Sequence, residues 1–412
     1  MKKGKTVLSV IAVITILLMM PVTPAQGYSV AQTDVERDYW PTNEWLNTTP
    51  EAQGLDSAQL DRIDETITEN EIEVDSVIVI KNGYIVYEKY YGYWSQYTAH
   101  TIQSCTKSFM SALIGIAIDM GYIDNVSQRV LDFFPNYTID NWDVRKENIT
   151  IYHLITMSTG LEFHEVDIPY EEPENDLFAM YRSDNMWQYV LDRPMLYNPG
   201  EHWDYNSGGI ELLGGIIEHT TGYSVAEFAE EFLFDPIGID YFTWWRETAS
   251  GQYGCGGGLN LRPRDMARFG YLYLNNGTWN DTQVVSSEWI NESTPARYDT
   301  DGYYTYGYTW WSIPGTTIYA ANGHYEQKIF VLPEHDIVAV FTGDIQDEDW
   351  HPTDYFVMEY VIPASEDASS SVNPLFIINV SILVIIVAPI PFVFVRRRTM
   401  VSQLPSRREN HD

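Results

Sequence analysis

Ser104 and Lys107 stand three residues apart in the run Ser104-Cys105-Thr106-Lys107. Residues three apart on a helix share a face, so this spacing sets a primary amine beside a hydroxyl. The pair opens a stretch, Phe109 to Ile118, that is apolar nearly all round. Such a pattern predicts a helix buried in a core, with Gly121 suited to stop it. Burial disfavours the charged amine, so a neutral lysine able to take a hydroxyl proton is expected. The serine also meets the positive end of the helix dipole, which favours an oxyanion. The spacing alone is weak evidence, because Ser108 and Ser111 recur close by.

Two further segments carry reactive side chains. Pro199-Gly200-Glu201-His202-Trp203-Asp204-Tyr205-Asn206-Ser207-Gly208-Gly209 reads as a turn and a helix start. Asn322-Gly323-His324-Tyr325-Glu326-Gln327 leads into a strand pair near the end of the chain. One tyrosine among 30, or a lone histidine, is as readily structural as functional. In this order and spacing, however, the three segments resemble the penicillin-recognising serine hydrolases of the class C β-lactamase type. That superfamily includes penicillin-binding D-alanyl-D-alanine carboxypeptidases, esterases and 6-aminohexanoate-oligomer hydrolases. The resemblance runs from about Leu55 to Thr342 and includes 149–161 and 256–266. Leu191-Asp192-Arg193-Pro194 is similar to the esterase and 6-aminohexanoate branch.

The resemblance implies Ser104 as nucleophile, Lys107 as the group that shares and shuttles its proton, and Tyr205 as general base and then general acid. The backbone N–H groups of Ser104 and Gln327 would form the oxyanion hole. Asn206, Ser207, His324, Tyr325 and Glu326 would border the substrate. Ser207 falls where the family often has asparagine, and His324 where it has lysine or histidine. Tyr325 and Glu326 depart from a small residue and glycine. Bulk and negative charge are therefore expected to narrow the cleft there, against β-lactams, which carry a carboxylate. The two cysteines, Cys105 and Cys255, would both lie near the cleft, which leaves a disulfide open. No cofactor and no metal are implied.

These segments need elements to hold them. Asp56 to Ile67 reads as an amphipathic helix, and Asn82-Gly83 between two β-branched or aromatic runs reads as a hairpin turn. Residues 122 to about 245 are mainly helical and loop-like, with Gly209 to Thr221 the best helix and Gly222 its cap. A second hairpin is expected over 327–332 and 337–342. The expected fold is α/β (α+β): an antiparallel sheet completed from both chain ends, flanked by helices, with an inserted mainly helical subdomain, β-lactamase/transpeptidase-like. A C-terminal transmembrane helix is expected in addition.

The chain ends carry the expected location. Residues 1–27 read as a signal peptide: a basic start, an apolar run and small residues before Gly27; an uncleaved anchor is the alternative. Residues 28–50 form a lead-in, 51–365 the hydrolase-like domain and 366–374 a linker. The apolar run 375–395 suffices to cross a bilayer, and Arg396, Arg397 and Arg398 open a tail, 396–412, expected in the cytoplasm. The net charge of −34 disfavours nucleic-acid partners, since phosphate would be repelled. Seven Asn-x-Ser/Thr sequons, from Asn47 to Asn291, permit glycosylation. A calcium site at Asp344, Asp347, Glu348 and Asp349 is left open, although their spacing fits no EF-hand loop. Gly-x-Ser-x-Gly, His-Glu-x-x-His and dinucleotide loops are absent from the sequence. The expectation is a cell-membrane, extracellular serine hydrolase of small amide, peptide or ester substrates. The alternative is an inactive recognition module on the same fold. Peptidase, esterase and β-lactamase activities are not separated by these residues.

Overall fold

The computed structural model describes Arg37 and residues 39–366, except Glu171, 247–249, Asp301 and 348–349. Helix α1 (Ser57–Glu69) starts where Asp56 accepts from the Ala58 N–H, and its Leu60, Ile63 and Ile67 form one buried stripe. Strands β1 (Val74–Lys81) and β2 (Tyr84–Tyr90) form the hairpin that Asn82-Gly83 predicts. Both turn residues have positive φ, 52° and 83°, as a tight two-residue turn requires. Helix α2 (Cys105–Asp119) is buried from Cys105 to Ala117. Between α2 and Thr243 the described residues form helices, loops and isolated bridges but no strand. The longest of those helices is α3 (Ser207–Thr221), capped by Asn206 and stopped by left-handed Gly222. Helix α4 (Pro263–Leu274) follows.

Strands β3 (Tyr298–Asp299), β4 (Thr305–Tyr306), β5 (Trp311–Ser312), β6 (Tyr319–Gly323), β7 (Gln327–Leu332) and β8 (Ile337–Gly343) come last. Together with the first hairpin they make one antiparallel sheet in the order β2-β1-β8-β7-β6-β5-β4-β3. The last strand thus lies beside the first, and the sheet is completed from both chain ends. Its residues alternate between two cores, as the period of a strand dictates. Ile78 and Ile80 join the core of α2 and α4, while Val77 and Val79 join that of α1 and the segment around Phe356 and Val361. The lead-in is irregular but docked. Arg37 grips the Asp336 carboxylate at 2.8 and 2.5 Å, and Arg268 donates to the Pro41 and Asn43 carbonyls.

The expected membrane helix is corrected. Among the described residues no helix is long and apolar enough to cross a membrane. The run 375–395 that suggested it, like the signal-like 1–27 and the tail 396–412, lies outside the described residues. An apolar run measures hydropathy and does not by itself establish a helix. The fold class therefore stands as a mixed α/β, β-lactamase-like fold. Residues up to Ser365 form one unit and 366–412 another, of which Glu366 alone is described.

Candidate active site

Ser104 sits at the start of α2, directly after Gln103, whose φ of 49° is unusual for a residue with a side chain. The N–H groups of Cys105, Thr106 and Lys107 donate to the carbonyls of Ile102, Gln103 and Ser104. No group of the described residues accepts from the N–H of Ser104 itself, which leaves that donor for a ligand. The end of β6 passes close by. A Cβ on Gly323 would stand 2.5 Å from the Ile102 oxygen and 3.1 Å from the Ser104 nitrogen, so only glycine fits there.

Lys107 lies one turn into α2, 2% exposed, and its Nζ donates to Ser104 Oγ at 2.9 Å and to the Gly256 carbonyl at 2.6 Å. Its ammonium lies 4.9 Å from the centre of the Tyr205 ring. Burial pulls its pKa down to about 8, with Glu165 and Glu211 opposing the fall. Tyr205, just ahead of α3, lines the same cleft as Ser104. Burial, reinforced by Glu165, pushes its phenol well above the usual tyrosine range. Near pH 8 the free base of this trio is therefore the amine, while the phenol keeps its proton.

The remaining sequence-predicted residues divide. His324 and Tyr325 border an open cleft of about 870 Å³ together with Ser104 and Tyr205, and their rings lie 3.9 Å apart. Across the cleft the Tyr170 ring approaches His324 at 5.5 Å. Trp203, Tyr303, Tyr304 and Trp311 add to the wall, so part of the aromatic run 303–311 faces the cleft as well as the sheet. Asn206 and Ser207 sit behind the wall. Asn206 caps α3 by accepting from the Gly209 N–H, and Ser207 binds Glu165. Gln327 opens β7, and its amide nitrogen donates to the Gly343 carbonyl at 2.6 Å, which fixes the strand start.

Glu326 does not carry free charge into the cleft. It is 4% exposed, and its carboxylate meets His351 Nδ1 at 2.8 Å, the Thr353 N–H and hydroxyl, and Lys328 Nζ at 3.2 Å. Burial works to raise its pKa, but Lys328, His351 and Thr353 together hold it down to about 2. Lys328 also pairs with Asp354 at 2.5 Å. Glu326, His351 and Asp354 could present three ligand atoms to a metal ion, but the Lys328 ammonium already bridges the two carboxylates. Tyr325 and Glu326 both have left-handed backbone, φ 61° and 66°, a conformation that favours glycine.

Cys105 and Cys255 are free thiols, so the disulfide does not form. Cys105 Sγ instead donates to the Gln327 carbonyl at 3.1 Å. Sequence reasoning missed two buried acids. Glu165 shares the cleft floor with Ser104, and Glu211 accepts from the Cys255 and Gly256 N–H groups at 2.8 and 2.9 Å. Glu211 interrupts the apolar run Ile210–Leu213, which was a readable signal; Glu165 stands in an acidic loop and gave none.

The family model described as Beta-lactamase matches residues 60–360. The chain belongs to the β-lactamase family. It is similar to the 6-aminohexanoate-dimer hydrolase of Paenarthrobacter ureafaciens, 23% identical over 313 residues, covering 70% of this chain and 76% of that protein. Among solved structures it resembles an octameric penicillin-binding protein homologue from Pyrococcus abyssi, with TM-score 0.57, 22% identity and coverage of 74% and 76%. It also resembles a family VIII carboxylesterase, with TM-score 0.61, 15% identity and coverage of 78% and 99%. The chain thus has the fold of the serine β-lactamase and penicillin-binding protein superfamily, several of whose members are hydrolases of small molecules.

Proposed function

We propose that the protein is a serine hydrolase of small esters or amides that forms an acyl-enzyme on Ser104. The observation that carries this reading is the 2.9 Å hydrogen bond from Lys107 Nζ to Ser104 Oγ, with the amine brought to about pH 8 by burial. Ser104 Oγ attacks the acyl carbon as its proton passes to neutral Lys107. The carbonyl oxygen, now an anion, is received by the N–H groups of Ser104 and Gln327. Tyr205, on the cleft lining with Ser104 and with its ring centre 4.9 Å from the Lys107 ammonium, passes a proton to the leaving alcohol or amine and recovers it from Lys107. Water then enters by the reverse route and frees the acid.

Substrates without a negative charge suit this cleft best. Its described lining is rich in aromatic side chains and includes no lysine or arginine to receive a carboxylate. The Lys328 charge behind it is taken up by Glu326 and Asp354. Export from the cell is proposed on the strength of residues 1–27 alone. The decisive experiment is labelling by a fluorophosphonate probe. Wild type should label and Ser104→Ala should not; equal labelling of the two excludes Ser104 as nucleophile. Turnover of p-nitrophenyl esters, D-amino-acid amides and a chromogenic cephalosporin then ranks the substrate classes, with the anionic cephalosporin expected last.

A further inference from the structure

Glu165 lines the same cleft as Ser104 and Tyr205, yet only 2% of it is exposed. One residue holds both of its oxygens: the Ser207 N–H donates to Oε2 at 2.7 Å and the Ser207 hydroxyl to Oε1 at 2.6 Å. Ser207 is the first residue of the 15-residue helix α3, so the carboxylate also meets the positive end of that helix. A buried carboxylate held so firmly needs compensating charge. Burial raises the pKa of Glu165, while the Lys107 charge and the Ser207 hydrogen bonds oppose that rise, and the carboxylate acts in turn on Lys107 and Tyr205.

We propose that Glu165 is a positioning residue of the Ser104 site: clamped by Ser207, its carboxylate decides which of Lys107 and Tyr205 holds the proton that Ser104 gives up. The proposal rests on Ser104 being the nucleophile. While ionised, the clamped carboxylate favours the ammonium and opposes the phenolate, so Lys107 is the member that titrates and Tyr205 stays a phenol. Position 207 carries a serine whose N–H and hydroxyl hold the carboxylate in place.

The other groups facing the pair do different work. Lys107 also faces Glu211 and Cys105. Glu211 does not line the cleft; it spends its two oxygens on the Cys255 and Gly256 N–H groups and so fixes the Gly256 carbonyl that receives Lys107. The Cys105 thiol is pushed up by burial and stays neutral. Glu165 itself also faces Asp204 and the phenols of Tyr181 and Tyr306, whose pKa values are raised first by burial, then by Glu211 and Glu165 for Tyr181 and by Tyr205 and Glu165 for Tyr306.

The test is the rate of fluorophosphonate labelling of the full chain against pH. In wild type the rate should rise through about pH 8. Glu165→Gln keeps the shape and removes the anion. Its rising limb should move to lower pH by about one unit or more, so labelling near pH 6.5 becomes several-fold faster relative to its own plateau. A merely structural glutamate would lower the rate at every pH and leave the limb in place, and that outcome overturns the proposal. Should Glu165→Gln fail to fold, Ser207→Ala carries the test. It removes the hydroxyl clamp, so its limb should shift the same way by less; an unmoved limb overturns the proposal equally. Equal labelling of wild type and Ser104→Ala would instead remove the nucleophile reading, and this inference with it.

Discussion

Replacing Lys328 with methionine is the sharpest perturbation of the strand that leads out of the site. The side chain is fully buried and its ammonium answers two carboxylates, Glu326 at 3.2 Å and Asp354 at 2.5 Å. Removing one partner of a buried ion pair typically costs about 3–5 kcal/mol. A second route gives a similar figure. The Glu326 carboxyl is held at about 2 against an ordinary 4.5, and at roughly 1.4 kcal/mol per pH unit this corresponds to about 3 kcal/mol. His351 and Thr353 share in that figure, so about 3 kcal/mol is an upper value for the lysine through Glu326 alone. The folded-state value lies below the unfolded one. The stabilisation is therefore complete above about pH 4.5 and fades as pH falls through about 2. In Lys328→Met the orphaned carboxyl takes up a proton more readily than in wild type. Equilibrium denaturation should show a loss of about 3 kcal/mol at pH 7 that narrows by pH 4.5. The double variant Lys328→Met/Glu326→Gln should recover part of it. A loss below about 1 kcal/mol at pH 7, or a gap that widens on acidification, would refute this ion cluster as a source of stability.

Tyr205→Phe keeps the ring over Lys107 and removes the proton relay, so kcat should fall by about two to four powers of ten with KM little changed; steady-state kinetics on the best ester checks it. Tyr325→Gly should relieve left-handed backbone and widen the cleft, improving kcat/KM for bulky acyl groups more than for acetyl. Gly323→Ala forces a Cβ to within 2.5 Å of the Ile102 oxygen, so labelling of Ser104 should be lost while most secondary structure persists by circular dichroism. Thiol titration should find Cys105 and Cys255 silent in native protein and both reactive after unfolding without reductant.

What could be read from the sequence was local. Ser104 and Lys107 are three apart on one helix, and the Asn82-Gly83 turn contains its own instructions, so neither needed a distant partner. Helix α3 was legible for the same reason: its apolar stripe and Gly222 stop lie within one segment. The short strands β3 to β5 escaped, because two-residue strands carry no alternation to read. The placement of Asn206 and Ser207 behind the wall depended on how α3 meets Glu165, 42 residues earlier in the chain.

Glu326 shows where local reading fails and what could have replaced it. Taken by position, it is a negative charge beside the oxyanion strand. Its fate was set by Lys328 and by 351–354, which return to the site 25 residues later. Yet Lys328 was itself a signal. In Gln327-Lys328-Ile329-Phe330-Val331-Leu332 it shares the face of Phe330 and Leu332, and a lysine on an apolar strand face must find an anion. The same logic applies to Lys107 in α2. Each buried lysine near the cleft implies acids set against it: for Lys328 they are Asp354 and Glu326, and for Lys107 they are Glu165 and Glu211. The two sets differ in one respect that bears on function. The Lys328 cluster has two acids in direct contact with the ammonium and holds its charge firmly. Lys107 spends its hydrogen bonds on Ser104 and a carbonyl, with its acids acting from outside that shell. A lysine held that way can surrender a proton, which is the property a nucleophile's partner needs.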